Sequence, residues 1–117
     1  MRNAKASGTR FEHKFIDYLE TKKYDVQRSA GSFYEDVWAI REDGKLHRVE
    51  VKSVNGKFYL SRCKEQLFLL LKHATDTNSI PVLAVAFKRK GWKFFLVNQE
   101  LFDKKVLKNT DLGNYEF

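Results

Sequence analysis

The chain has 117 residues, and a prior of about 100–200 residues per domain predicts a single domain over residues 1–117. Its hydrophobic content of 43% excludes intrinsic disorder, and its apolar runs are too short for a transmembrane helix. Lys and Arg outnumber Asp and Glu by 22 to 15, and the net charge of +7 favours a polyanionic partner such as nucleic acid. We expect a cytoplasmic protein, because the basic N-terminus lacks the apolar stretch of a secretory signal.

The first predicted element is an amphipathic helix over about residues 7–22. Phe11, Phe15 and Leu19 recur at helical spacing there, with charged residues on the opposite face. Residues 1–8 are basic and small, which makes them a candidate mobile arm. A strand over residues 24–29 follows, and the Ala-Gly-Ser run after it predicts a loop.

Residues 36–41 and 45–52 read as two strands of a hairpin, and the register of this pair decides which side chains meet. A two-residue Asp-Gly turn places Asp36 and Glu50 on opposite faces. A three-residue loop with Gly44 at positive φ places Asp36 opposite Glu50 and pairs Val37 with Val49. We predict the second register, because its apolar pairs match better.

The second half of the chain predicts another helix and two more strands. Ser61 is a candidate N-cap for a helix over residues 61–74, whose apolar face is broader than one sheet covers. We expect the surplus of this face to form a subunit contact. Strands over residues 80–88 and 92–97 follow, and Asn98 is the predicted cap of a short helix.

This order of elements predicts an α/β fold in which helices flank a mixed, five-stranded central sheet. No zinc site is expected, since the single cysteine and the three histidines are scattered along the chain. Any metal is therefore expected to be held by oxygen atoms.

Asp36, Glu50 and Lys52 are the candidate reactive residues. Residues i and i+2 of a strand share a face, so Glu50 and Lys52 project together, and the preferred register adds Asp36. Two carboxylates beside an ammonium suit magnesium-dependent phosphodiester cleavage, since this hard cation takes oxygen ligands and keeps water. Lys52 then either orients the water or offsets developing negative charge. The same Glu-x-Lys pattern also occurs as a solvated surface pair, so spacing leaves both interpretations open.

Several segments of the chain resemble the archaeal-type Holliday junction resolvases of the PD-(D/E)XK nuclease superfamily. The resemblance covers about residues 7–97, and the superfamily has the element order predicted above. In chain order it rests on Arg28-Ser29-Ala30-Gly31-Ser32, Asp36, Val49-Glu50-Val51-Lys52, Ile80-Pro81-Val82-Leu83-Ala84-Val85 and Gly91-Trp92-Lys93-Phe94. It implies a restriction-endonuclease-like fold.

The resemblance also implies roles for individual residues. Glu12, Asp36 and Glu50 are implied magnesium ligands, with Mn²⁺ a candidate substitute. Lys52 and Ser32 are implied catalytic residues, the first stabilising the transition state and the second assisting from the loop before Asp36.

Arg28 matches the family's DNA-contacting arginine. Four further basic residues are candidate DNA contacts, which would bind backbone phosphate without reading sequence. These are Arg10 on the first helix and Lys88, Arg89 and Lys90 at a hairpin tip.

The sequence departs from the family pattern at three positions. Glu35 stands where the superfamily's name implies proline, next to an implied ligand, and is expected to affect the metal site. His13 and Ala86 replace basic residues of the family, which affects expected phosphate contacts rather than the metal site.

The predicted function is therefore that of a homodimeric, magnesium-dependent endonuclease that resolves four-way DNA junctions by paired symmetric nicks. A two-fold dimer matches the symmetry of the junction. No membrane partner and no small-molecule cofactor is expected, and the compartment is the cytoplasm of a prokaryote or of a virus or phage host. Two alternatives remain: another PD-(D/E)XK nuclease acting on flaps or duplex, and a non-catalytic module that binds branched DNA.

Overall fold

The computed structural model describes residues 4–29 and 35–117, and side chains from residue 10 onward. These residues form α1 (Ala4–Glu20), β1 (Asp25–Arg28), β2 (Val37–Ile40), β3 (Leu46–Val54), β4 (Phe58–Tyr59), a 3₁₀ turn (Leu60–Arg62), α2 (Lys64–Asp76), β5 (Ile80–Phe87), β6 (Gly91–Leu96), α3 (Gln99–Lys104) and β7 (Val106–Leu107).

Five strands form the central sheet, in the order β1-β2-β3-β5-β6. β3 and β5 run parallel, whereas the other neighbouring strands are antiparallel. The predicted mixed, five-stranded sheet is thus confirmed. A separate ribbon of β4 and β7, whose strands have two residues each, was not predicted from the sequence.

The β2–β3 hairpin has the register that the three-residue loop predicts. Val37 pairs with Val49 and Ile40 with Leu46. Gly44 adopts a φ of 87°, and its amide donates to the Arg41 carbonyl at 2.8 Å. Because a residue with a Cβ rarely adopts this conformation, Gly44 fixes the loop and hence the register.

The α1 face of the sheet is covered by aromatic and aliphatic side chains. Phe15 and Leu19 of α1 are fully buried against Val49 of β3 and Val82 of β5. The helix begins at Ala4 rather than near residue 7, in keeping with the good helix propensity of Ala and Lys. Residues 4–8 of the predicted arm are therefore helical, and residues 1–3 lie outside the described part of the chain.

The prediction that Ser61 caps α2 is wrong. Ser61 lies inside the 3₁₀ turn, and the residue before α2 is Cys63, which makes no side-chain capping bond. The Cys63 amide instead donates to the Leu60 carbonyl at 3.1 Å, and this tightly wound turn buries Leu60. Tertiary burial of Leu60 and Cys63 thus sets the start of the helix.

On the opposite face of the sheet, Leu67, Leu70 and Ala74 of α2 are fully buried. Phe68 and Leu69 remain 45% and 44% exposed. The apolar surplus predicted for this helix is therefore present.

The predicted cap of α3 is confirmed, because the Asn98 side chain accepts a hydrogen bond from the Leu101 amide at 3.0 Å.

The C-terminal segment after β7, which gave no sequence signal, packs onto the α1 face. Phe117 contacts Phe15 with a ring-centroid distance of 5.5 Å, and the Leu96 amide donates to Asn114 Oδ1 at 2.8 Å. In the described part of the chain, no helix is both long and apolar enough to cross a membrane.

Candidate active site

The candidate reactive residues meet where β2 begins, beside the middle of β3. Asp36 directly precedes β2, and its Oδ2 accepts a hydrogen bond from the Val51 amide at 2.8 Å. The Asp36 amide donates to the Val49 carbonyl at 2.9 Å, which extends the hairpin ladder by one residue. The register therefore brings Asp36 beside Glu50, with Val49 and Val51 buried on the other face of β3.

Glu50 is a buried carboxyl group, only 1% exposed. Within the described residues, neither of its buried side-chain oxygens has a well-aligned hydrogen bond, although Lys52 Nζ lies close to Oε1. Burial and the nearby negative charge of Asp36 raise the pKa of Glu50 to about 9, against the opposing effect of Lys52. At neutral pH this carboxyl group therefore holds a proton unless a cation replaces it.

The Lys52 ammonium lies beside Asp36 and Glu50, on the side of the site that is open to solvent. Its Nζ lies 3.2 Å from Oε1 of Glu50, and the side chain is 33% exposed. Burial lowers the pKa of Lys52, but its hydrogen-bond and charge interactions with Glu50 and the charge of Asp36 outweigh this effect and raise the pKa above its usual value. Lys52 thus carries a positive charge that reaches both the buried carboxyl group and solvent.

Glu12 of α1 and Arg28 of β1, which sequence analysis assigned to different roles, form an ion pair. Arg28 Nε donates to Glu12 Oε2 at 2.9 Å, and both side chains retain access to solvent. Burial and the charge of Asp36 raise the pKa of Glu12, while Arg28 opposes the shift. Glu12 therefore lies within electrostatic reach of Asp36 but is bonded to Arg28.

Glu35 occupies the position before Asp36 and is 3% exposed. Its Oε1 accepts hydrogen bonds from Arg48 Nη1, at 2.8 Å, and from Trp38 Nε1. Arg48 is held in turn by Ser79 Oγ at 2.9 Å. Glu35 thus anchors the chain next to Asp36 through a buried ion pair with the neighbouring strand, a role that the sequence did not indicate.

The basic hairpin tip lies at the same end of the sheet as Lys52. Lys88, Arg89 and Lys90 are exposed between β5 and β6, and the Lys88 amide donates to the Val54 carbonyl at the end of β3. Arg10 is exposed on α1, two residues before Glu12. Ser32 lies outside the described residues.

A family model for the archaeal Holliday junction resolvases (Hjc) matches residues 3–116 of this sequence. The chain belongs to this family. The match spans nearly the whole chain and confirms the family inferred from its motifs.

The structure is also similar to that of a solved member of the resolvase family. The 1.6 Å structure of Hjc from Archaeoglobus fulgidus, a Holliday junction resolvase from an archaeal hyperthermophile, has 27% sequence identity and a TM-score of 0.69. The similarity covers 78% of this chain and 73% of that one. It confirms the restriction-endonuclease-like fold, and membership in the resolvase family makes the chain a nuclease that acts on Holliday junctions.

The donor atoms in this resolvase site suit a hard divalent cation. Glu50 offers two buried oxygens, one of them 3.2 Å from the Lys52 ammonium, beside a second carboxyl group from Asp36. Such oxygens are the ligands that Mg²⁺ and Mn²⁺ prefer. In the described parts of the chain, however, no three acidic, histidine or cysteine side chains converge closely enough to hold a metal together. Asp36 and Glu50 therefore fit the ion as a pair.

A cleft beside the site contains residues that sequence analysis missed. It has a volume of about 290 Å³ and is lined by Lys52, Ser53, Phe58, Arg62 and Cys63. Arg62 comes from the 3₁₀ turn, ten residues beyond Lys52, and no local pattern marks it. The cleft extends the positive charge of Lys52 along the surface.

Proposed function

We propose that the chain is a homodimeric endonuclease that resolves four-way DNA junctions by magnesium-dependent phosphodiester hydrolysis. The observation that carries this proposal is the convergence of Asp36, the buried Glu50 carboxyl group and Lys52, whose Nζ lies 3.2 Å from Glu50 Oε1. Burial and the charge of Asp36 raise the pKa of Glu50 to about 9. A strongly perturbed acid beside a specific charge partner is typical of functional sites. Family membership supplies the substrate, a Holliday junction.

Asp36 and Glu50 are the proposed ligands of Mg²⁺, or of Mn²⁺ in its place. When bound, the ion supplies positive charge next to the scissile phosphate and lowers the pKa of water in its coordination shell. Glu12 is proposed as a further ligand from α1. Because Arg28 Nε pairs with Glu12 Oε2 at 2.9 Å, we expect Glu12 to reach the ion only when Arg28 leaves this pair to contact DNA.

Lys52 is the proposed catalytic cation. Its ammonium lies 3.2 Å from the Glu50 carboxyl group and is partly open to solvent, so it reaches a phosphate placed at this edge. Two actions fit this position: donating a hydrogen bond that orients the attacking water, and offsetting negative charge as the phosphate is attacked. Ser32 is proposed to assist from the loop before Asp36.

Arg28 and the exposed basic residues are the proposed DNA contacts. The latter are Arg10, Lys88, Arg89 and Lys90, and the hairpin tip lies at the same end of the sheet as Lys52. These charged groups bind backbone phosphates, so recognition depends on the shape of the DNA rather than on its sequence.

The proposed dimer contact is the exposed apolar side of α2, formed by Phe68 and Leu69. Phe68 stacks on Phe102 of α3 with a ring-centroid distance of 4.1 Å, which makes a rigid aromatic surface. We expect Leu69→Lys to convert the dimer into a monomer in light scattering without lowering thermal stability. A dimer that persists in this variant contradicts the assignment of this face.

The direct test is cleavage of a labelled four-way junction in competition with a flap and with duplex of equal length, with Mg²⁺ or with EDTA. The proposal predicts paired symmetric nicks in the junction only, and only with Mg²⁺. Equal cleavage of flap or duplex instead supports a different nuclease of the same superfamily. Binding that is the same in Mg²⁺ and EDTA, without any cleavage, indicates a non-catalytic DNA-binding module.

A further inference from the structure

Trp38 and Ile40 are large hydrophobic side chains of β2 that remain exposed. Each is 38% exposed, whereas Val37 and Ala39, which alternate with them on the α1 face, are fully buried. Trp is highly buried on average, and its large apolar ring is enriched at binding surfaces. The proposed function gives this exposed indole no role.

The indole lies on the face of the hairpin that carries the reactive carboxyl groups. Trp38 pairs with Arg48 on β3. Trp38 lies two residues after Asp36, and Arg48 lies two residues before Glu50. Two residues of a strand span about 6.6 Å. A DNA strand with its scissile phosphate at Asp36 and Glu50 therefore brings an adjacent nucleotide over Trp38.

The indole is also held in place. Its Nε1 donates to Glu35 Oε1, and the same oxygen accepts from Arg48 Nη1 at 2.8 Å. The Arg48 guanidinium carbon lies 5.8 Å from the centre of the Trp38 ring, and Ser79 Oγ accepts from Arg48 Nε. An aromatic ring fixed in this way loses little side-chain entropy when a ligand stacks on it.

We propose that Trp38 is a stacking platform for the base next to the scissile phosphate, with Glu35 and Arg48 as its positioning residues. This inference rests on the proposed junction-cleaving function and extends it to substrate selection. Every base offers a π-face, and losing one base–aromatic stack weakens binding about 5- to 150-fold. Bases within a duplex arm are already stacked on their neighbours, whereas a base at a branch point unstacks at a smaller cost. Trp38 therefore favours branched over linear DNA.

The first test compares Trp38→Ala with Ile40→Ala. Ile40 is the control because it lies on the same strand and face, is equally exposed and is two residues farther from the carboxyl groups. Junction affinity is measured in EDTA by fluorescence anisotropy, and kcat/KM is measured in Mg²⁺. We expect Trp38→Ala to lose about 5- to 150-fold in junction affinity and to lose preference over duplex. Trp38→Phe retains most of both, and Ile40→Ala stays within about twofold of wild type.

The second test needs no change at Trp38. The chain has two tryptophans, so Trp92→Phe leaves Trp38 as the only one that fluoresces. We expect its emission to be quenched as junction saturates the protein, and the titration to give the affinity found by anisotropy. Duplex bound to the same extent quenches it less.

Three results would overturn the inference: unchanged Trp38 emission at saturating junction, wild-type kcat/KM in a folded Trp38→Ala variant, or a changed oligomeric state of that variant. The last result would assign the indole to a subunit contact. Wild-type cleavage of the junction without quenching removes this inference alone. A wild-type protein that cuts no junction removes the proposed function as well.

Discussion

The face of the sheet beneath α2 has two halves of opposite character. Leu83, Val85 and Phe95, on β5 and β6, are fully buried among the apolar side chains of α2 and α3. One strand away, Glu50 pairs in register with Leu83 and is buried to nearly the same extent. Neighbouring positions of one continuous sheet thus hold a fully apolar contact and a buried carboxyl group whose charged neighbours are Asp36 and Lys52.

This difference distinguishes the apolar residues that stabilise the fold from the charged residues that we propose take part in the reaction. Burying aliphatic and aromatic side chains stabilises the protein by roughly 1.5–3 kcal/mol for each large residue. Burying a carboxyl group destabilises it unless charge or hydrogen bonds compensate, and the raised pKa of Glu50 reflects this destabilisation. We infer that the apolar half stabilises the fold and permits the charged half to keep groups required for reaction.

The largest expected effect is the loss of cleavage when a carboxylate of the charged half becomes an amide. Glu50→Gln and Asp36→Asn are each expected to lower kcat/KM on a four-way junction by about 10³-fold or more, equivalent to about 4 kcal/mol. The matched control is Glu42→Gln, in the exposed hairpin loop. A Glu50→Gln enzyme that cuts within tenfold of wild type contradicts the assigned role.

In the apolar half, the corresponding change is Leu83→Ala. It leaves a cavity beneath α2, and we expect the free energy of unfolding in urea to fall by about 2–5 kcal/mol. Leu112→Ala, at a leucine that is 84% exposed, serves as the control and is expected to change stability by less than about 0.5 kcal/mol. Equal effects of the two substitutions would show that Leu83 does not stabilise the fold by burial.

The next largest expected effect is on the pH dependence of stability, to which the buried Glu50 of the charged half contributes. The pKa of Glu50 is raised from 4.5 to about 9 on folding, so the unfolded chain releases this proton at lower pH than the folded protein. Ionisation between these values favours the unfolded state, and the contribution of Glu50 to stability falls by up to about 1.4 kcal/mol per pH unit.

Glu50→Gln is therefore expected to be more stable than wild type at pH 8 in EDTA, with the difference vanishing near pH 4. Urea unfolding at both pH values measures this. Equal stability of the two proteins at pH 8 would mean that Glu50 is not held in its neutral form.

The smallest expected effect on stability concerns the ion pair of Arg28 with Glu12. Both side chains retain access to solvent, so Arg28→Gln is expected to change unfolding by less than about 1 kcal/mol. Junction affinity should nevertheless fall, with a weaker salt dependence. Arg41→Gln is the matched control, because Arg41 is similarly exposed and pairs with Asp43 at 2.7 Å. Arg41 follows the end of β2, whereas Asp36 and the candidate active site lie at its start. Equal affinity losses in the two variants would indicate a general charge effect.

The sequence predicted those features that depend on local pattern. Alternation along β3 separated Val49 and Val51 from Glu50 and Lys52, and Gly44 determined the register that brings Asp36 to Glu50. These inferences succeed because strand periodicity and turn conformation involve few neighbouring residues.

Features that depend on distant contacts were not predictable. Glu35 and Arg48 are 13 residues apart, and His47 and Tyr115, which also share a hydrogen bond, are 68 apart.

Gly113 gave no signal, although a Cβ there would lie 2.6 Å from the carbonyl oxygen of Phe94. Tertiary packing likewise moved the N-cap position of α2 from Ser61 to Cys63. The charge and exposure of side chains in the charged half therefore required the three-dimensional structure.

We propose that Glu50 is kept buried as a metal ligand at the expense of stability. The most direct measurement is the melting temperature of wild type and Glu50→Gln at pH 8, titrated with Mn²⁺ and with Mg²⁺ from a metal-free start. We predict that wild type starts lower and rises with metal, since a ligand that binds only the folded state stabilises it. Glu50→Gln should start higher and stay constant. A parallel rise in both proteins, or no rise in wild type at saturating metal, would contradict the proposed role of Glu50 as a metal ligand.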